Sequence, residues 1–106
     1  MNSEFLFLNQ EDVIAAGGLD MKLCMAAVTD SFAAHAKGED IIPDKTVVRW
    51  GGIESEATDG IINAMPCYLG GDMNVLGIKW VGSSPRNPDR FGIPRASALV
   101  VLNNRE

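Results

Sequence analysis

The sequence predicts an α+β domain, a mixed and mostly antiparallel sheet covered by helices. Three observations lead there. Helical periodicity is confined to the stretch before Gly38, runs of β-branched and aromatic residues follow Pro43, and those runs are separated by Gly- and Pro-containing turns rather than by further helices. Helices followed by a run of strands is the order of a helix-backed sheet, whereas strands alternating with helices would have indicated a parallel one. With 106 residues, 46% hydrophobic and 22% charged, one globular domain over 1–106 is expected.

Residues 5–8 form a short apolar run that reads as a first strand. Asn9 suits a helix N-cap, with Gln10, Glu11 and Asp12 placing negative charge in the first turn and Gly17-Gly18 ending the helix. Asp20 caps a second, longer helix that reaches Lys37-Gly38. Met21, Met25, Val28, Phe32 and His35 recur at helical spacing and mark its expected buried side.

Residues 46–50 then read as a strand, with a turn over Gly51-Gly52 and residues 54–59. Residues 60–69 follow as a second strand, where Pro66 implies an edge position or a bulge. Gly70-Gly71-Asp72 is a turn, residues 73–81 a third strand, residues 83–92 a loop with two prolines and two arginines, and residues 96–102 a last apolar strand. Asn103-Asn104 reads as the opening of a turn, so the sequence is expected to break off within a motif.

Several function classes are disfavoured. A net charge of −5 opposes non-specific binding to nucleic acid or anionic membrane. No apolar run approaches a membrane span, and no basic n-region precedes an apolar stretch, which makes the cytoplasm the expected location. Cys24 and Cys67 belong to no CxxC or Cys/His cluster and read as two buried thiols, with no metal site. The Gly-Gly pairs at 17–18, 51–52 and 70–71 make neither a dinucleotide fingerprint nor a P-loop.

Two groups carry possible chemistry. His35 has Asp30 and Ser31 nearby, but adjacent helix positions point about 100° apart and cannot together orient one imidazole, so a half-buried helix histidine is expected. The second group is basic: Lys45, Arg49, Lys79, Arg86, Arg90 and Arg95 all follow the helices. Lys79 sits inside an apolar strand and must either reach solvent or meet a negative partner. Lys45 and Arg49 share a face by even spacing and can converge on the same anion. Residue chemistry alone thus gives a domain suited to an acidic small molecule.

At these residues the sequence resembles the ornithine cyclodeaminase/mu-crystallin family. The similarity runs in order through Phe7-Leu8-Asn9-Gln10-Glu11-Asp12-Val13, Ala34-His35-Ala36-Lys37-Gly38, Ala64-Met65-Pro66, Gly77-Ile78-Lys79-Trp80-Val81 and Pro94-Arg95-Ala96-Ser97-Ala98-Leu99-Val100-Val101-Leu102-Asn103. Gly77-Ile78-Lys79-Trp80, Asn87-Pro88 and Pro94-Arg95-Ala96-Ser97 resemble most the branch that forms 2,3-diaminopropionate. That resemblance implies a first domain that binds substrate and forms a homodimer, followed by a Rossmann domain that holds NAD. It implies that Lys79 meets the substrate carboxylate, with Lys45 or Arg49 as a second cation and Met65 and Arg95 as further substrate-binding residues.

The implied reaction of the whole enzyme is oxidative cleavage of N-(2-amino-2-carboxyethyl)-L-glutamate to 2,3-diaminopropionate and 2-oxoglutarate, in siderophore or peptide-antibiotic biosynthesis. An ornithine cyclodeaminase-type lyase, or a non-catalytic binding and dimerisation module, are the rival expectations. On this resemblance the chain is the incomplete N-terminal domain, with the Rossmann domain absent, no catalytic residue of its own and no activity in isolation. Calorimetric titration of the 106-residue chain with NAD is expected to give binding in the ~millimolar range or weaker. Micromolar binding would overturn the expectation.

Overall fold

The computed structural model describes residues 4–51 and 59–103. Residues 5–8 are not a strand. A strand needs a partner for its backbone groups, and none is paired with this segment, whose side chains are 48–89% exposed.

Helix α1, Gln10–Val13, begins with a capping box. The Asn9 side chain accepts from the Asp12 N–H at 3.0 Å, and the Asn9 N–H donates to the Asp12 carboxylate at 3.0 Å. A π-helical turn, Ile14–Gly18, follows and is broken by Gly17 at φ 103°. Only a residue without a Cβ adopts that angle at little cost, so the helix ends at the expected glycine pair. Asp20 then caps α2, Met21–Ala36, by accepting from the Lys22 and Leu23 N–H groups at 2.9 and 3.2 Å. Gly38 at φ 69° closes the far end.

The face of α2 that meets the sheet is not the expected one. Cys24, Ala27 and Ser31 are half-buried and Ala34 is buried, whereas Met21, Met25, Val28 and Phe32 are 53–70% exposed. The small residues allow close approach: Ser31 Oγ lies 3.4 Å from Met73 Sδ. Among the described residues the large apolar stripe has no cover in the chain.

Five strands follow: β1 Asp40–Ile41, β2 Thr46–Trp50, β3 Gly60–Leu69, β4 Val75–Ser83 and β5 Ala96–Asn103. All their pairings are antiparallel, and β3, β4 and β5 form consecutive hydrogen-bonded neighbours. The other side of β3 is shared, with β2 along residues 60–64 and β1 along residues 68–69. Pro66 was expected at an edge or bulge, but it lies in the central strand, opposite the gap between β1 and β2. One flank of β3 is unpaired there, which is where a residue without an N–H is tolerated. Trp50 stands across from Gly60, and its indole fills the space that a side chain at Gly60 would need. The expected loop over residues 83–92 contains a single-turn helix, α3 Asn87–Phe91. The predicted turn over Gly51-Gly52 and residues 54–59 lies outside the described residues except for Gly51 and Asp59.

The chain exposes 8907 Å². A compact monomer of 11.4 kDa would expose about 5,800 Å². Its radius of gyration, 16.9 Å, likewise exceeds the roughly 13 Å of a compact domain of this length. The sheet is therefore open and much of its apolar surface is uncovered.

Candidate functional site

Directly opposed residues of antiparallel neighbours project to one face of a sheet, as do residues two apart along a strand. The register sets Met65 opposite Lys79 and Lys79 opposite Val100. It also sets Val47, Asn63, Val81 and Ala98 in one row, and Arg49, Ile61, Ser83 and Ala96 in the next on the same face. Lys45 immediately precedes the Thr46↔Ala64 pair. Continuing that register by one residue sets Lys45 opposite Met65, on the row of Lys79.

Lys45 and Lys79 thus flank Met65, with two strand spacings, about 10 Å, between their backbones. Arg49 shares the face but stands four residues further along, about 13 Å away. The exposed Lys45, Arg49 and Lys79 have no ion-pair partner among the described residues. Arg95 joins the far row: its Nε donates to Ser83 Oγ at 3.3 Å. The remaining arginines are engaged elsewhere. Arg86 pairs with Asp59 at 3.4 Å, and Arg90 lies over the Phe91 ring at 5.5 Å.

One residue on this face escaped the sequence reading. The Asn63 carboxamide oxygen is buried and has no hydrogen-bond partner. An unmet buried acceptor costs about 1–3 kcal/mol, which makes Asn63 an unsatisfied point beneath this face. The available signal was a carboxamide in an otherwise apolar strand, where asparagine is disfavoured.

Other candidates are set aside by geometry. The His35 side chain is 66% exposed rather than half-buried, and its Nδ1 lies 2.7 Å from the buried carboxylate of Asp40, not of Asp30. Ser31 Oγ donates to the Ala27 carbonyl at 2.8 Å, so no triad exists there. Cys24 and Cys67 are free but only half-buried, because the open sheet does not enclose them. A hollow of about 190 Å³ between α2 and the β3–β4 turn is lined by Asp30, Glu39 and Asp72 beside Lys37, the wrong sign for an acidic ligand. Among the described residues no group of His, Cys, Asp and Glu side chains is placed to hold a metal ion, and no helix is long and apolar enough to cross a membrane.

The described residues do not fit a dinucleotide. Gly17-Gly18 closes a helical turn, Gly70-Gly71 joins two antiparallel strands, and the α2 N-terminus is already occupied by the Asp20 carboxylate, which would repel a phosphate.

Known proteins resemble this arrangement in sequence. The chain is 38% identical, over all 106 residues, to N-((2S)-2-amino-2-carboxyethyl)-L-glutamate dehydrogenase of Staphylococcus aureus, covering 31% of that protein. It is 37% identical over 103 residues, 97% of the chain, to alanine dehydrogenase of Archaeoglobus fulgidus, covering 28% of that protein. The chain thus spans less than a third of the length of either relative. The ornithine cyclodeaminase/mu-crystallin family model matches residues 4–106, and to that family the chain belongs.

Proposed function

We propose that this chain is the substrate-binding part of a nicotinamide-dependent dehydrogenase that acts on an amino-acid-derived secondary amine, with N-(2-amino-2-carboxyethyl)-L-glutamate as the substrate. The carrying observation is the exposed Lys79 ammonium beside Met65, which has no ion-pair partner among the described residues. An exposed ammonium with no ion-pair partner among the described residues matches the carboxylate of an amino acid. The relatives' names support the oxidoreductase class.

In this reading Lys79 and Lys45 hold the carboxylate, and Met65 packs against the aliphatic part. Bound NAD supplies a hydride acceptor, and it is held by a Rossmann domain outside these residues. The residues of this chain bind and orient; none of them moves a proton. Part of the uncovered apolar surface is assigned to that domain and part to a second copy of the chain.

The test is an assay of the complete enzyme with NAD and, separately, the glutamate conjugate, alanine and ornithine, following cofactor reduction and product. Reduction with the glutamate conjugate and release of 2-oxoglutarate is the expected result. Preferential oxidation of alanine would move the assignment toward the Archaeoglobus relative. Ornithine consumed with ammonia release and no net reduction would make it a lyase.

A further inference from the structure

We propose that the end of this face formed by Arg49, Ser83 and Arg95 is a second carboxylate subsite, distinct from the Lys79 position, so that the site selects elongated dicarboxylic amino acids over monocarboxylic ones. The inference rests on the reading that the face binds an amino-acid-derived substrate.

The register supplies the geometry. Three successive rows on one face carry, in order, Lys79 with Met65, Asn63 with Val81, and Arg49 with Ser83. The first and third rows are four residues apart along β4, about 13 Å at the backbone. That separation is too great for one compact carboxylate to fill both positions, yet long lysine and arginine side chains lean over part of it. The two outer rows carry cations. A matching ligand carries a carboxylate at each end.

The far group is also the one with donors to spare. Arg49 has no partner among the described residues. Arg95 is tethered through Nε to Ser83 Oγ, and its terminal nitrogens have no partner among the described residues, which leaves its outer edge for an anion. Arg86 and Arg90, occupied by Asp59 and by the Phe91 ring, do not belong to the subsite. A carboxylate bound at this end would accept from the free donors of these two guanidinium groups. A short amino acid with one carboxylate fills the Lys79 row and leaves this end empty.

The test is an equilibrium titration of the complete protein, by calorimetry, with straight-chain dicarboxylates from succinate to suberate and with the monocarboxylates of equal carbon number. Wild type is expected to bind the best dicarboxylate about tenfold more tightly than its monocarboxylate counterpart, the scale of one charge-assisted contact. In the double variant Arg49→Gln/Arg95→Gln that preference is expected to vanish while monocarboxylate affinity is retained. Arg49→Lys/Arg95→Lys, which keeps both charges, is expected to retain most of it and decides the matter should the Gln variant fail to fold. Lys79→Met is expected to weaken both ligand series.

A wild type without dicarboxylate preference, or a preference that survives removal of both arginines, would overturn the subsite. So would a loss of NAD affinity in place of dicarboxylate affinity, which would assign the arginines to the cofactor's phosphates. Turnover is not read here, so an enzyme that oxidises none of the amino acids tested above would fail the functional reading and leave this measurement intact.

Discussion

Replacement of Lys79 by methionine is expected to lower kcat/KM of the complete enzyme by roughly tenfold to a hundredfold, with NAD affinity unchanged. A lost contact to a charged group costs about 1.5–3 kcal/mol. Lys79 stands in the middle of β4, between Met65 and Val100, with its ammonium unpaired among the described residues. Methionine keeps an unbranched apolar stem, so the strand retains its packing and only the charge is lost. The loss should appear mainly in KM if the ammonium holds substrate and transition state equally. Steady-state kinetics with a separate titration of NAD decide the matter. Wild-type kinetics would make Lys79 an ordinary surface lysine.

Gly77→Ala is expected to destabilise the sheet strongly. Gly77 faces Leu102 of β5, and an added Cβ would run into the Val101 carbonyl oxygen and come within 3.2 Å of Leu102 Cα. Both obstacles are backbone, so no rotamer change relieves them and β5 must move. Overpacking of this kind costs about 1–3 kcal/mol. At about 4–8 °C per kcal/mol for a domain of this size, the shift in Tm is easily read by calorimetry. Gly82 on the same strand is the control, since nothing lies within 4 Å of a Cβ built there. Gly82→Ala should stay within about 0.5 kcal/mol of wild type. Equal stability of the two variants would mean that β4 and β5 are not paired as described.

The parts of the fold legible in the sequence are those governed by local chemistry. Asn9, Asp20, Gly17 and Gly38 stand at helix ends because caps and left-handed turns are satisfied by their own neighbours. The strand over residues 60–69 coincides with β3 because a long apolar run between turn residues has few other uses. What failed depended on distant partners. The spacing of Met21, Met25, Val28 and Phe32 marks a helix but not its buried side, because periodicity does not say what covers the stripe. Residues 5–8 have a strand's composition and no neighbour to pair with. The two-residue β1 is too short to have a period, and α3 is a single turn inside a proline-rich loop.

The candidate site divides in the same way. Even spacing on β2 placed Lys45 and Arg49 together, but only the register between strands shows that Lys45 continues the row of Lys79 and that Arg49 belongs with Ser83. Asn63 shows in the sequence only as a carboxamide within an apolar strand, and its buried, donor-less oxygen is a property of the fold.

The exposed stripe of α2 has a bearing on how such a chain behaves at dilution. A helix that turns Met21, Met25, Val28 and Phe32 to water gains stability when another surface covers it, and that gain follows mass action. Its unfolding midpoint then becomes a function of protein concentration and of whatever surface is present to associate with it, not a property of the sequence alone. In a cell the same stripe is a ready target for holdase chaperones until it is covered.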